Sequence, residues 1–133
     1  MTLVSMGTAN FSGIVDVDQA YRACQTITKE GAKNFYYAFL TLPKTKRLAI
    51  YAAYAFCRLC DDIADGPDDG PTRRKHLGEV RQRLNSAYIG SPQGNIFTAL
   101  HDSAERYSIP KSLFENVVKG VEMDLIKNRY DTF

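Results

Sequence analysis

Much that would place a chain in one of the specialised protein classes is missing from this one. Cysteine is scarce: Cys24, Cys57 and Cys60 are an odd number at no spacing that a disulfide framework uses, so the chain reads as one kept in a reducing cytosol. Long hydrophobic runs are lacking. The longest, Leu48 to Cys57, is ten residues between Arg47 and Arg58, against the roughly 20 that a bilayer crossing needs. It reads as a buried helix, leaving at most a peripheral contact with membrane. No basic segment followed by an apolar one opens the chain, so no secretory leader is expected. An excess of one charge is also absent. Seventeen Lys and Arg stand against fifteen Asp and Glu, a net charge of +2, and the two signs are interleaved, which argues against a nucleic-acid partner. Nothing alternates with the period of a strand, and no internal repeat is evident. With 44% hydrophobic and 24% charged residues the composition is that of a globular protein. An all-α chain is left, of a length that suits a single helical unit over residues 1–133.

In chain order, Met1 to about Gly13 is a polar lead expected to fray. Asp16 and Asp18 offer helix caps, and Ala20, Tyr21, Cys24 and Ile27 or Thr28 form the apolar stripe of a first helix ending near Gly31. The aromatic stretch Lys33 to Leu40 has no clear period and is read as a short helix. Pro43 is placed to open a third helix running to Asp65, where Gly66-Pro67 stops it and 68–71 makes a turn. A helix from Thr72 to about Tyr88 turns Leu77, Val80 and Leu84 inward and Arg73, Arg74, Arg81 and Arg83 largely outward. Gly90-Ser91-Pro92 breaks it. A helix over Ile96 to Tyr107 follows, then one opened by Pro110 and carrying Leu113, Val117, Val118, Val121 and Leu125. The residues from Asp124 to Phe133 carry no helix stop, so the chain is expected to be cut from a longer one.

The third helix holds the chemistry. At about 100° per residue, Tyr54, Arg58, Asp61 and Asp65 fall within an arc of roughly 60°, with Asp62 at its edge. Asp61 and Asp65 are one turn apart, about 6 Å. Carboxylates this close raise one another's pKa unless a cation lies between them. They also stand at the negative end of the helix macrodipole, and aspartate is a poor helix former. The plain alternative, a solvated acidic helix end, explains none of this. Holding Mg²⁺ through hard oxygen ligands, with a phosphate completing the shell, explains all of it. Arg58, one turn before the acids, suits a guanidinium that pairs with them until phosphate arrives. Cys57-Arg58-Leu59-Cys60 is a C-x-x-C inside a helix with no second cysteine pair, and is set aside as a redox or zinc site. His76 and His101 read as surface residues.

The run Leu42-Pro43 … Ala52-Ala53-Tyr54-Ala55-Phe56-Cys57-Arg58-Leu59-Cys60-Asp61-Asp62-Ile63-Ala64-Asp65-Gly66 resembles the first aspartate-rich region of the squalene/phytoene synthase family. Lys33-Asn34-Phe35-Tyr36 is similar to the basic stretch that precedes it there, and Gly120-Val121-Glu122-Met123-Asp124 … Arg129-Tyr130 to a later G-M-x-M-D … R-Y segment. The resemblance covers about Tyr21 to Phe133. It implies the N-terminal part of an isoprenoid-synthase helical bundle, with Mg²⁺ as cofactor. The implied reaction joins two prenyl diphosphates head to head, by ionisation of an allylic C–O bond and attack of the second double bond to give a cyclopropyl intermediate. NADPH would enter only if the product is squalene. Carried over, Asp61, Asp62 and Asp65 would serve the metal, Lys33, Asn34, Phe35, Tyr54 and Arg58 would bind the prenyl diphosphate, and Tyr54 and Arg58 would take part in catalysis. A cytoplasmic enzyme, with a peripheral membrane contact where it delivers product, is the implied setting.

Two departures stand out. Gly31 occupies a position where many members have histidine or serine. The second aspartate-rich helix of the family is missing, so these residues by themselves are not expected to turn over substrate. Two other readings compete. Asp61-Asp62-Ile63-Ala64-Asp65 spells the D-D-x-x-D of head-to-tail polyprenyl synthases, but Arg73-Arg74 come late and are followed by Lys75 rather than glycine. The other is a non-catalytic helical module, either a truncated paralogue or an assembly partner.

Overall fold

A computed structural model describes the backbone of residues 16–131 and the side chains of residues 16–125. The lead expected to fray and the last two residues lie outside this range. Among the described residues every regular element is a helix: α1 Val17–Ala32, α2 Asn34–Phe39, α3 Lys44–Asp65, α4 Gly70–Tyr88, α5 Gly94–Tyr107 and α6 Lys111–Asp131. The all-α expectation holds. No described helix is long and apolar enough to cross a membrane.

Local chemistry sets the boundaries. Asp16 caps α1 by accepting the Gln19 N–H at 3.2 Å, and Asp69 caps α4 by accepting the Thr72 N–H at 2.8 Å. The second cap corrects the turn expected over 68–71, because Gly70 and Pro71 already belong to α4. Pro71 lacks only an N–H that has no helical partner in a first turn. Pro43 likewise precedes α3 as its cap residue rather than opening it.

Helix α3 is the centre of the packing, since α1, α4, α5 and α6 all lie against it. Its Tyr51, Ala52 and Ala55 join Ala20, Tyr21, Cys24, Tyr36 and Ala99 in one cluster. Its Phe56 and Cys60 join Leu77, Leu84, Phe97, Leu100, Phe114 and Val118 in the other. Phe56 is fully buried and meets Phe97 and Phe114 edge-on, with ring centroids 6.0 and 5.2 Å away. On α6 the buried position is Phe114, whereas Leu113, expected in the apolar stripe, is 54% exposed. The stripe is displaced by one residue there because the larger aromatic side chain takes the core position. His101 is not a surface residue either. It is partly buried, and its Nδ1–H donates to the Ala87 carbonyl at 2.8 Å. Burial pushes the Cys60 thiol up to about 12, with Cys57 a smaller cause. Such a thiol has little tendency to ionise, in keeping with a structural C-x-x-C.

One polar network ties α1 to α5. Tyr21 Oη donates to Asp102 at 2.7 Å and lies 2.8 Å from Ser103 Oγ, and Arg106 Nε donates to Asp102 at 2.8 Å. Burial alone would raise the Asp102 carboxyl, but the two hydrogen bonds outweigh it and hold the group below the usual carboxylate range. A carboxyl lowered in the folded state adds stability that is complete above the ordinary carboxylate range. That stability is lost as pH falls through the folded value.

Two outcomes follow from this packing. Phe56→Ala is expected to cost about 3–5 kcal/mol in urea unfolding, a large share of the total for a domain of this size, and a loss below about 1 kcal/mol would mean the core does not turn on that ring. Tyr21→Phe is expected to cost about 1 kcal/mol at pH 7, and the gap from wild type should shrink when the same titration is run in acid. A gap that does not change with pH would show that Tyr21 leaves Asp102 untouched.

Candidate active site

A cleft of about 910 Å³ opens where the end of α3, the start of α4 and the middle of α6 meet. α3 contributes Asp61, Ala64 and Asp65, α4 contributes Gly70, Pro71, Arg73 and Arg74, and α6 contributes Val121, Asp124 and Leu125. The helical period explains the first set. Asp61 and Asp65 share a face one turn apart, while Cys60 on the neighbouring face is locked into the core.

The electrostatics of the α3 wall are those of crowded carboxylates. The Asp61 carboxyl is pushed above the usual carboxylate value, first by burial and then by Asp65, with Asp62 and Asp124 adding to the rise and Arg58 opposing it. Asp124 was not expected as a site residue. Its signal lay in Gly120-Val121-Glu122-Met123-Asp124, whose last member lies one turn from Val121 and shares its face of α6. A strut sets the placement of α6 against α4, with Arg81 and Glu122 meeting at 2.5 Å.

Asp62 is turned elsewhere. It does not line the cleft, and its carboxylate receives Arg58 Nε at 3.1 Å, with about half or more of each side chain exposed. The exposed pair contributes at most a few tenths of a kcal/mol, and it holds the guanidinium beside the acids.

The remaining expected residues gather at a different place, the corner between α1 and α2, and none of them lines the cleft. Lys33 ends α1 and precedes α2 with φ of +46°, a left-handed value that is unfavourable for a lysine. Asn34 is exposed and opens α2. Phe35 is 72% exposed, while its neighbour Tyr36 is buried and stacks on Tyr51. Tyr54 joins this corner to the aspartate helix. A Cβ on Gly31 would collide with the Tyr54 hydroxyl and lie 3.1 Å from Cε2 and Cζ of its ring. The glycine and the tyrosine therefore fit as a pair, which gives a physical reason for the departure at position 31.

Arg73 and Arg74 correct the expectation that α4 turns its arginines outward. Both are partly buried and line the cleft. Arg73 Nη2 donates to the Gly66 carbonyl at the end of α3. Arg81 is half-buried in its pair with Glu122, while Arg83 is exposed. The earlier start of α4 changes the surroundings of Arg73 and Arg74, which stand in the first turns of a helix packed against α3.

The donor set suits a divalent cation of the magnesium kind. Asp61, Asp65 and Asp124 offer hard oxygens, and among the described residues no thiolate or imidazole lines the cleft to favour a softer metal. Among the described residues no three acidic, imidazole or thiol side chains converge to chelate one ion unaided. The fit is therefore with an ion that brings oxygen ligands of its own, from water or phosphate.

The chain is similar in sequence and fold to known proteins. A family model for squalene/phytoene synthase matches residues 28–133. The chain is 37% identical over 120 residues to the 15-cis-phytoene synthase of Synechococcus elongatus, covering 90% of this chain and 39% of that protein. It is 35% identical over 112 residues to the phytoene synthase of Mycobacterium tuberculosis, covering 84% and 36%. Its fold is similar to a squalene synthase from Alicyclobacillus acidocaldarius, with a TM-score of 0.73 and 26% identity over 83% of this chain and 42% of the other. A dehydrosqualene synthase solved with a ligand gives a TM-score of 0.72 and 28% identity, over 82% and 38%. The chain spans less than two fifths of the length of these curated relatives. The matched motifs, the match to the family model and the shared helical fold put the chain in the squalene/phytoene synthase family.

Proposed function

We propose that these residues form the diphosphate-binding part of an enzyme that condenses two prenyl diphosphates head to head. The observation that carries this reading is the cleft into which Asp61 and Asp65 both open, with Asp124 on its α6 wall. Asp61 and Asp65 would hold Mg²⁺, and Asp124 is near enough to act on the same charge. Bound there, the metal would neutralise charge developing on a diphosphate leaving group. Arg58 is positioned by Asp62 and can exchange that exposed carboxylate for phosphate, because the pair it leaves is weak. Tyr54, packed across Gly31, fixes the aspartate helix against the Lys33–Phe35 corner, where the exposed Phe35 and Tyr37 offer apolar surface to a prenyl chain. Such a surface keeps water from an allylic cation. The relatives named phytoene synthases support phytoene as the product, formed from geranylgeranyl diphosphate with no nicotinamide reductant, and a cytoplasmic enzyme is the setting we propose.

The non-catalytic module keeps one supporting observation, the incomplete chelating set among the described residues. Pyrophosphate release from geranylgeranyl diphosphate separates the two readings. The complete enzyme containing these residues is expected to release it with Mg²⁺ and not with EDTA, and Asp61→Ala should cut the rate by at least about 10²-fold. Turnover retained in that variant removes Asp61 from the metal site. No metal-dependent release from the wild type leaves the module.

A stability measurement probes the same carboxylate without substrate. A carboxyl raised in the folded state costs stability when ionised, above its folded value, and that cost disappears below the ordinary carboxylate range. Asp61→Asn is therefore expected to raise the thermal midpoint of the metal-free protein at pH 7. The gain should fade in acid, and the variant should lose the further rise that Mg²⁺ gives the wild type. A lower midpoint at pH 7 would show that the acidic end is not under electrostatic strain.

A further inference from the structure

We propose that Arg73 and Arg74 form the anion-binding wall of the cleft and take phosphate oxygens of the metal–diphosphate that Asp61 and Asp65 hold, an assignment that rests on the reading of the site given above.

Three other arginines already hold carboxylates. Arg58, Arg81 and Arg106 hold carboxylates at 3.1, 2.5 and 2.8 Å. Arg73 and Arg74 line the same cleft as Asp61, Asp65 and Asp124. Even so, among the described residues neither guanidinium comes within ion-pair distance of any carboxylate. Opposite charges thus share one hollow without touching. A cargo that carries both signs, a divalent cation on one side and phosphate oxygens on the other, would satisfy both walls at once.

The two side chains are held ready for it. The bond to the Gly66 carbonyl seats Arg73 against the end of α3, and its Nε–H is buried with no partner. A desolvated donor without an acceptor is costly, and most such groups in native proteins are paired. Arg74 folds back over the first turn of its helix, so that a Cβ on Gly70 would lie 3.6 Å from its Nη1. Both arginines stand near the positive end of the α4 macrodipole, which disfavours cations. Asp69 feels both of them, but its carboxylate is given to Thr72, which is the main cause of its lowered pKa. Neutralising Asp69 therefore does not explain the pair.

Calorimetric titration of the chain with inorganic pyrophosphate in excess Mg²⁺, and with Mn²⁺ alone, tests the assignment. Wild type is expected to bind the magnesium pyrophosphate. Arg74→Ala should weaken that binding about tenfold and Arg73→Ala/Arg74→Ala about a hundredfold, while Mn²⁺ alone binds within about twofold of wild type because its carboxylates are untouched. Arg74→Lys should recover part of the loss. Arg83→Ala, which removes an exposed cation of the same helix outside the cleft, should change nothing. Because Arg73→Ala also frees the Gly66 corner, Arg74→Ala with an unchanged thermal midpoint is the deciding variant. If it binds magnesium pyrophosphate like wild type while Asp61→Asn does not bind, the arginine wall is refuted and the metal site stands. If wild type binds no magnesium pyrophosphate at all, both assignments fall.

Discussion

Two adjoining helices each carry their charges at the unfavourable end. Asp61, Asp62 and Asp65 crowd the C-terminal turns of α3, where the macrodipole is already negative, and Arg73 and Arg74 occupy the first turns of α4, where it is positive. Each arrangement alone costs free energy. Exchanging the two sets would relieve both helices, yet the chain keeps them across the turn 66–69. The unfavourable placement is understandable if the charges are to be shared with something that binds between them, and the cleft at that junction supplies the room.

Strained electrostatics need a rigid mount. Phe56 lies five positions before Asp61 and is wedged between Phe97 of α5 and Phe114 of α6, so the end of α3 cannot swing without breaking the core. The Arg81–Glu122 strut holds α6 to α4 two residues before Asp124. The Arg73 bond to the Gly66 carbonyl fixes the corner between α3 and α4. All three walls of the cleft are therefore tied to the cluster around Phe56 and Cys60, and the repulsion among the carboxylates is opposed by packing.

The elements were readable because α3 and its neighbours carry strong signals: a ten-residue apolar run, a Gly-Pro stop and prolines near helix starts. The facing of Asp61 and Asp65 followed from their spacing alone. The burial of Phe114 in place of Leu113 did not, since both fit a helical stripe and the choice depends on what α3 presents to α6. His101 was misread for a similar reason. Its partner is the Ala87 carbonyl on another helix, and a backbone acceptor leaves no mark in a sequence. Arg73 and Arg74 were the larger miss. Their positions, taken by themselves, look like an exposed face, and they become part of a site only when α4 starts at Gly70 and folds back against α3.

The Gly31–Tyr54 contact shows how the second group of residues belongs to the first. Tyr54 shares the helical face of Arg58, Asp61 and Asp65, but its hydroxyl occupies the space a side chain at position 31 would fill. A larger residue there would have to displace the ring or the end of α1. The end of α1 leads straight into Lys33, which is held in a left-handed conformation, and then into the exposed Asn34 and Phe35. Strain of this kind persists only where surrounding packing imposes it, and the stacked Tyr36 and Tyr51 provide that packing one turn away. The tyrosine thus fixes the distance between an acidic pole and an aromatic corner along one helix. A substrate with a charged head and a long apolar tail requires that same geometry, because binding at one pole places the rest of the molecule at the other.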